Sequence, residues 1–307
     1  MGAGRLRVIT GPTAAGKSAL ALGLAERFPV SIVSADSRQI YRGFDIGTAK
    51  PTSAERAAVP HHGLDLVEPR ERYSAAAWAA AAEGWLAEIR AAGRVPLVVG
   101  GTGFYIRALV APLFEEPPLD PARRRALGEA LAALSPPELR RWCLELDPAR
   151  AHLGRAQLLR AIEVAVLTGV PISEWHSRAP GAPGRGARYL VVDPGSSLAG
   201  RIEGRVLQML DAGWVAEVGA LAESVPADAP AWNASGYRAV LDLVGGEISR
   251  AAAIERIVVH TRQYAKRQRT WMRNQLRDED VTLLDPTEPD ALDRALAWFA
   301  ADGEADR

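Results

Sequence analysis

The chain has 307 residues, 48% hydrophobic and 24% charged, with 37 basic and 37 acidic side chains and a formal net charge of zero. Such a composition excludes a disordered chain, allows one large domain plus a smaller one, and requires any nucleic-acid binding to come from local charge asymmetry. The single Cys143 excludes an intramolecular disulfide, and with five scattered histidines it offers no metal cluster, so a reducing cytoplasm is the expected setting.

Met1 to Arg7 carries no apolar targeting segment, and the alanine tract Ala75 to Ala82 is too short to cross a bilayer, so no membrane role is expected. Leu6 to Thr10 reads as a buried strand, and Ser18 to Phe28 carries apolar residues at helical spacing. Between them lies Gly11-Pro12-Thr13-Ala14-Ala15-Gly16-Lys17-Ser18, a G-x-x-x-x-G-K-S loop in the strand-to-helix setting that this motif requires. Small residues there let backbone N–H groups close around phosphate oxygens, and the helix N-terminus adds its positive end. All eight loop residues are therefore candidates for binding a diphosphate. Lys17 should neutralise the terminal phosphate, and the Ser18 hydroxyl should reach Mg²⁺, the one cofactor implied. Only three of the 37 basic residues are lysines, Lys17, Lys50 and Lys266. A compact ammonium is not interchangeable with a guanidinium where a phosphate must be met by a point charge, which suits Lys17; for the other two, chance survival is an equal alternative.

Val30 to Ser34, Leu64 to Val67 and Val95 to Val99 are further short apolar runs alternating with helical segments, the pattern of a parallel sheet covered by helices. Ser74 is a suitable N-cap for a helix reaching about Ala92, and Gly93 stops it. The Val95 strand ends in Gly100-Gly101-Thr102-Gly103, where backbone can approach a ligand at the carboxyl edge of the sheet. From Leu119 the character changes: Asp120-Pro121 and Ser135-Pro136 each read as an N-cap followed by proline, and helical periodicity continues through Arg155 to Leu167. Arg178 to Arg188 reads as a return linker, and Tyr189 to Val192 resumes the sheet. The expected fold is α/β, a P-loop NTPase-like core over residues 1–116 and 186–307 with a helical insertion at 117–185. A long helix from Ser249 to Arg277, a short strand at Val281 to Leu284 and a terminal helix complete it. Arg262, Lys266, Arg267, Arg269, Arg273 and Arg277 follow one another with no acidic residue between them, either a solvated helix face or a track for a nucleic-acid backbone.

A phosphate loop alone suggests a small-molecule kinase or an NTPase, with a non-catalytic nucleotide switch as a weaker alternative. A Walker-B strand would end in an acidic residue, whereas the Val95 strand ends in Gly-Gly-Thr. Asp36, after the second strand, points instead to the same carboxyl edge as the phosphate loop. It is either a metal-linked carboxylate, a general base, or a turn aspartate.

Taken in order, Gly11 to Ser18, Asp36 to Pro51, His61 to Asp65, Val99 to Tyr105, Gly236 to Arg238 and Thr261 to Gln268 resemble the tRNA dimethylallyltransferase family across nearly the whole chain. The resemblance implies that the phosphate loop holds dimethylallyl diphosphate. The acceptor would be the exocyclic amine of the adenosine 3′-adjacent to the anticodon, in tRNAs reading codons that start with U. It makes Asp36 the general base, Thr102 the residue at the bridging oxygen, Arg205 the residue that closes over the diphosphate, and Lys17 its charge partner. Asp36, Ser37, Arg38, Gln39, Gln157, Arg160, Gly236, Tyr237, Arg238, Lys266, Arg267 and Arg273 would face the anticodon stem-loop of tRNA. Gln157 stands where the family pattern has arginine, with Arg155 as its alternative. Trp271 reads as a core tryptophan ahead of a base-stacking one. The chain lacks the cysteine/histidine zinc module of eukaryotic members, so a bacterial form, expected to act as a monomer without an obligate protein partner, is the better match. Another branch of the family prenylates free adenine nucleotides. The helical insertion and the basic helix favour the tRNA branch.

Overall fold

In the computed structural model, the residues described are 5–111, 117, 119–178, 184–276 and 280–301. The chain divides into two compact units, residues 1–111 with 185–307, and residues 112–184, against the 117–185 insertion expected from the sequence.

The first unit is built on a six-stranded sheet in the order β3-β2-β4-β1-β5-β6, every neighbouring pair parallel. Its strands are β1 (Leu6–Thr10), β2 (Val30–Ser34), β3 (His61–His62), β4 (Val95–Val99), β5 (Ala187–Val192) and β6 (Val281–Leu284). β1, β2, β4 and β5 are almost wholly buried, which is why they read as continuous apolar runs and not as alternating ones. α1 (Lys17–Ala25) and α3 (Ala75–Ala91) pack on the sheet, α4 (Gly103–Val110) packs on α3, and α2 (Ser53–Ala58) lies between β2 and β3 in the chain. Leu20, Ala21 and Leu24 of α1 share one core with Ile9, Ile32, Leu97, Leu190 and the terminal helix residues Trp298 and Phe299. Capping follows the sequence: the Ser74 side chain accepts from the Ala77 N–H, and Thr52 forms a capping box with Glu55.

One expected strand is corrected. Leu64 to Val67 is not a strand: β3 is His61–His62, and Val67 makes only an isolated bridge to Tyr41. Asp65 sits at φ 53, outside the extended region, so the chain turns there and brings its carboxylate to Lys50 at 2.6 Å and Arg56 at 2.7 Å.

The second unit holds α5 (Pro121–Ala132), α6 (Pro136–Leu146), α7 (Arg155–Thr168) and α8 (Ile172–Arg178), with no strand among the described residues. Leu131, Leu139, Cys143, Leu158 and Ile162 form its own core. Asp120 caps α5 by accepting from the Arg123 N–H, as its position before Pro121 predicts. Residues 179–183 of the expected return linker, and Arg277, lie outside the described residues.

After β5 the chain is mainly helical: α9 (Leu198–Asp211), α10 (Trp214–Ala222), α11 (Tyr237–Val244), α12 (Arg250–Gln275) and, after β6, α13 (Ala291–Ala300). Among the described residues no helix is long and apolar enough to cross a membrane.

Candidate active site

Three strands release their chain at the same carboxyl edge: β1 into the phosphate loop, β2 into Asp36 and β4 into Gly100 to Thr102. Two of them are tied directly, because the Thr102 N–H donates to the Ala35 carbonyl at 3.1 Å. Gly16 adopts φ 100, a conformation only glycine takes without strain, and launches α1. Ala14 is also left-handed, at φ 63, and its carbonyl accepts from Arg201 Nε at 3.1 Å. Gly11 is required for space: a Cβ there would stand 2.1 Å from the Val192 carbonyl oxygen.

Lys17 Nζ donates to the carbonyls of Gly11 at 3.0 Å and Pro12 at 2.7 Å. Burial first, then the Arg205 guanidinium, lower its pKa to about 8, with the Asp36 charge opposing them. Lys17, Arg205 and Asp36 thus share one electrostatic environment. Arg205 is half-buried, and burial pushes its own pKa down while Asp36 supports its charge.

Asp36 takes the turn role that was one of its three readings from the sequence. Its Oδ1 accepts from the Arg38 N–H at 2.8 Å, a turn aspartate, and it also lines a pocket of about 70 Å³. Thr13, Ala14, Arg205, Thr261 and Tyr264 also line that pocket. Its apolar wall is Ile202, Val206 and Met209 of α9, Trp214 of α10 and Ile257 of α12. Thr102 caps α4 beside it: its hydroxyl accepts from the Ser37 N–H at 3.0 Å and is bonded to the Tyr264 hydroxyl. Burial and the Asp36 charge hold the Tyr264 phenol up to about 12, so it stays protonated across the physiological range.

The residues expected to face tRNA divide. Arg38 lines the pocket, and Arg238, Lys266, Arg267 and Arg273 are exposed. Among the described residues none of Lys266, Arg267 and Arg273 pairs with a carboxylate, whereas Arg269 is drawn out of the basic run by Asp193 and the Gly195 carbonyl. Ser37 is held by Thr102. Gln39 departs from expectation: its Nε2 donates to the Thr48 and Ala49 carbonyls at 3.2 and 2.9 Å and its Oε1 accepts from Ser34 at 2.8 Å, which leaves its amide holding the loop. Tyr237 departs further. It is 0% exposed, its hydroxyl donates to Glu217 at 2.6 Å, and Phe44 and Trp214 pack on its ring, so the residue is built into the core and not onto a surface.

In the helical unit Gln157 is exposed on α7 and Arg160 pairs with Glu163. The guanidinium of Arg155, the alternative to Gln157, donates to the Leu134 and Ala132 carbonyls at 2.6 and 3.0 Å, closing the C-terminal end of α5. Trp271 packs on Gly103, where a Cβ would stand 2.1 Å from the indole.

Four residues of the site were given no role of their own from the sequence: Arg201, Trp214, Tyr264 and Gln268, the last two although they lie in the Thr261 to Gln268 segment. The signal for two of them was present in α12, where Ile257, Thr261, Tyr264, Gln268 and Met272 recur at three- and four-residue spacing on one face. The basic residues between them had drawn attention to the other face.

A phosphate loop on a parallel sheet, with a pocket lined by loop residues, a carboxylate and apolar side chains, suits a transferase acting on a phosphorylated substrate with an apolar group. Residues 39–275 match the family model described as IPP transferase, and residues 4–61 match that described as Isopentenyl transferase. The tRNA dimethylallyltransferase of Anaeromyxobacter dehalogenans is 42% identical over 297 residues, covering 95% of this chain and 99% of its own length. The tRNA delta(2)-isopentenylpyrophosphate transferase of Staphylococcus epidermidis superposes with a TM-score of 0.69 at 31% identity, over 98% of this chain and 99% of that one. A eukaryotic dimethylallyltransferase acting on tRNA superposes with a TM-score of 0.81 at 26% identity, over 99% of this chain and 80% of its own. The chain belongs to the IPP transferase family, the family of these tRNA dimethylallyltransferases.

Proposed function

We propose that this protein transfers the dimethylallyl group of dimethylallyl diphosphate to the exocyclic amine of the adenosine 3′-adjacent to the anticodon, in tRNAs reading codons that start with U. The observation that carries the reading is one pocket lined by Asp36, by Thr13 and Ala14 of the phosphate loop, by Arg205, and by the apolar residues Ile202, Val206, Met209, Trp214 and Ile257. A diphosphate beside Thr13 and Ala14 leaves a five-carbon allylic chain against those apolar residues and its reacting carbon near Asp36.

In the reaction the amine nitrogen forms a bond to the allylic C1 while the C1–O bond breaks, its electron pair leaving with the diphosphate. The amine proton goes to the Asp36 carboxylate. An adenine amine is a weak nucleophile because its lone pair is delocalised, so a base that takes the proton as the bond forms lowers the barrier. Lys17, Arg205 and the loop N–H groups oppose the growing negative charge on the leaving group, in a site where burial strengthens each interaction. The Thr102 hydroxyl, fixed by Ser37 and Tyr264, is the residue assigned to the bridging oxygen.

The Ser18 hydroxyl, exposed on the first turn of α1, suits Mg²⁺. That ion keeps much of its shell as water and phosphate oxygen, so a single protein hydroxyl, with no cluster of acidic or histidine ligands among the described residues, fits a metal carried by the diphosphate. When bound it supplies further charge neutralisation to the leaving group.

For the acceptor, the exposed face of Lys266, Arg267 and Arg273 favours a polyanion over a free nucleotide. The kinase alternative lacks its carboxylate: β4, the strand beside β1, runs into Gly100 and Gly101. Mass analysis of nucleosides from treated tRNA tests the reading. It predicts one adenosine gaining a dimethylallyl group in place of a hydrogen, and unmodified adenosine with full turnover of ATP would overturn it.

A further inference from the structure

Trp214 is 0% exposed to solvent, yet it lines the pocket that contains Asp36. Its indole is held by shape. A Cβ on Gly47 would stand 2.2 Å from its Nε1 and Cε2, and a Cβ on Gly236 would stand 2.4 Å from its ring. The indole N–H has no hydrogen-bond partner among the described residues, so packing alone fixes the ring.

The segments bearing those glycines are locked to the same helix. The Glu217 carboxylate, one turn along α10 from Trp214, accepts from the N–H groups of Asp45 at 3.1 Å and Ile46 at 2.6 Å and from the Tyr237 hydroxyl at 2.6 Å. One carboxylate therefore ties the turn before Gly47 and the helix that starts at Gly236 to α10. The result is a rigid aromatic wall, which is what steric selection requires, since a wall that can move rejects nothing.

We propose that Trp214 determines donor length: wedged between Gly47 and Gly236, it closes the apolar end of the pocket so that a five-carbon allylic diphosphate fits and a ten-carbon one does not. The inference rests on the prenyl-transfer reading and names the substrate class that the site accepts. The reaction stays the same with either donor; only the chain on C1 differs. Each methylene that a pocket cannot hold is worth about 10- to 200-fold in kcat/KM, so a five-carbon excess against a fixed wall gives discrimination of at least about a hundredfold.

The experiment measures kcat/KM for dimethylallyl and geranyl diphosphates, with unmodified tRNA as acceptor, for the wild type, Trp214→Phe and Trp214→Ala. The wild type should favour the five-carbon donor by at least about a hundredfold, Trp214→Phe should narrow that ratio, and Trp214→Ala should bring it within about tenfold through a gain with geranyl diphosphate. The ratio within each folded variant is the readout, so a general loss of turnover does not imitate the effect. Equal use of both donors by the wild type overturns the proposal even if neither variant folds, as does an unchanged ratio in whichever variant folds. Failure of the wild type with both donors would instead overturn the prenyl-transfer reading.

Discussion

Gln268 on α12 accepts a hydrogen bond from the Thr13 N–H of the phosphate loop at 2.8 Å, and its Nε2 donates to the Gly101 carbonyl at 2.9 Å. One buried amide thus ties the loop after β1 to the loop after β4. Gln268→Leu leaves both backbone groups without this partner, at a cost of about 1–3 kcal/mol each where they are buried. The expected outcome is a lower melting temperature together with a raised KM for the allylic diphosphate. A variant with wild-type melting and wild-type KM would show that the tie is idle.

The turn that Asp36 holds and the proton transfer proposed for it can be separated by substitution. Asparagine keeps an oxygen to accept from the Arg38 N–H, and so keeps the turn, but it cannot take a proton. Asp36→Asn should lower turnover by about 10²- to 10⁴-fold, as expected for loss of a general base, while the KM for tRNA stays within a few-fold. Steady-state kinetics on both substrates checks this.

Lys17 gives a pH signature. With its pKa lowered to about 8, mainly by burial, the cation that opposes the diphosphate is lost in the free protein as pH rises through about 8. Pyrophosphate affinity should therefore fall above pH 8, and binding there should be accompanied by proton uptake at Lys17. Calorimetry in two buffers of different ionisation enthalpy reads that uptake, which should disappear in Lys17→Met.

Lys50 resolves as a structural residue. Its side chain is 1% exposed and its ammonium meets Asp45 and Asp65, each at 2.6 Å, and the Tyr41 carbonyl. A small tetrahedral donor satisfies these three directions, and a planar guanidinium does not. Lys50→Met leaves two partly exposed carboxylates facing each other and should cost roughly 2–4 kcal/mol, somewhat less than for a fully buried pair. Burial alone would raise the Asp65 carboxyl, but Lys50 and Arg56 hold it below the usual carboxylate range. That stability is present above the unfolded carboxylate pKa and is lost as pH falls through the lower folded value. Melting followed from pH 7 into the acid range should show a steeper loss in the wild type than in Lys50→Met.

Lys266 and Arg267 are exposed on α12, Lys266 on the face away from the pocket stripe and Arg267 at its flank, with its guanidinium 5.8 Å from the centre of the Tyr264 ring. If they neutralise tRNA phosphates, replacing both by glutamine should weaken tRNA binding and reduce the slope of log K against log salt by about 1.5. Binding isotherms at several salt concentrations test this, and an unchanged slope would make the run a solvated helix face.

Much of this was legible in the sequence because the relevant signals are local. Leu6 to Thr10, Val30 to Ser34 and Val95 to Val99 are apolar runs that became β1, β2 and β4 with the expected bounds, and the phosphate loop declares its own turn. Leu64 to Val67 misled because an apolar pair around Asp65 hides a left-handed residue whose conformation is set by a partner at Lys50. Tyr237 and Gln39 looked like surface residues of a motif, but Glu217 in one case and the carbonyls of Thr48 and Ala49 in the other use their polar atoms internally. Trp214 was invisible as a site residue because its meaning lies in contacts with glycines far away in the chain, whereas Gln268 stood on the periodic face of α12 but its ties to Thr13 and Gly101 were not readable there.

The most direct measurement is the partition of label from radiolabelled dimethylallyl diphosphate, with Mg²⁺ present, among unmodified tRNA, AMP and no acceptor, with ATP consumption followed in parallel. The account predicts label in tRNA alone, accumulating about 10²- to 10⁴-fold more slowly with Asp36→Asn. Label in AMP would contradict the assignment of the acceptor, and ATP turnover without prenyl transfer would contradict the assignment of the chemistry.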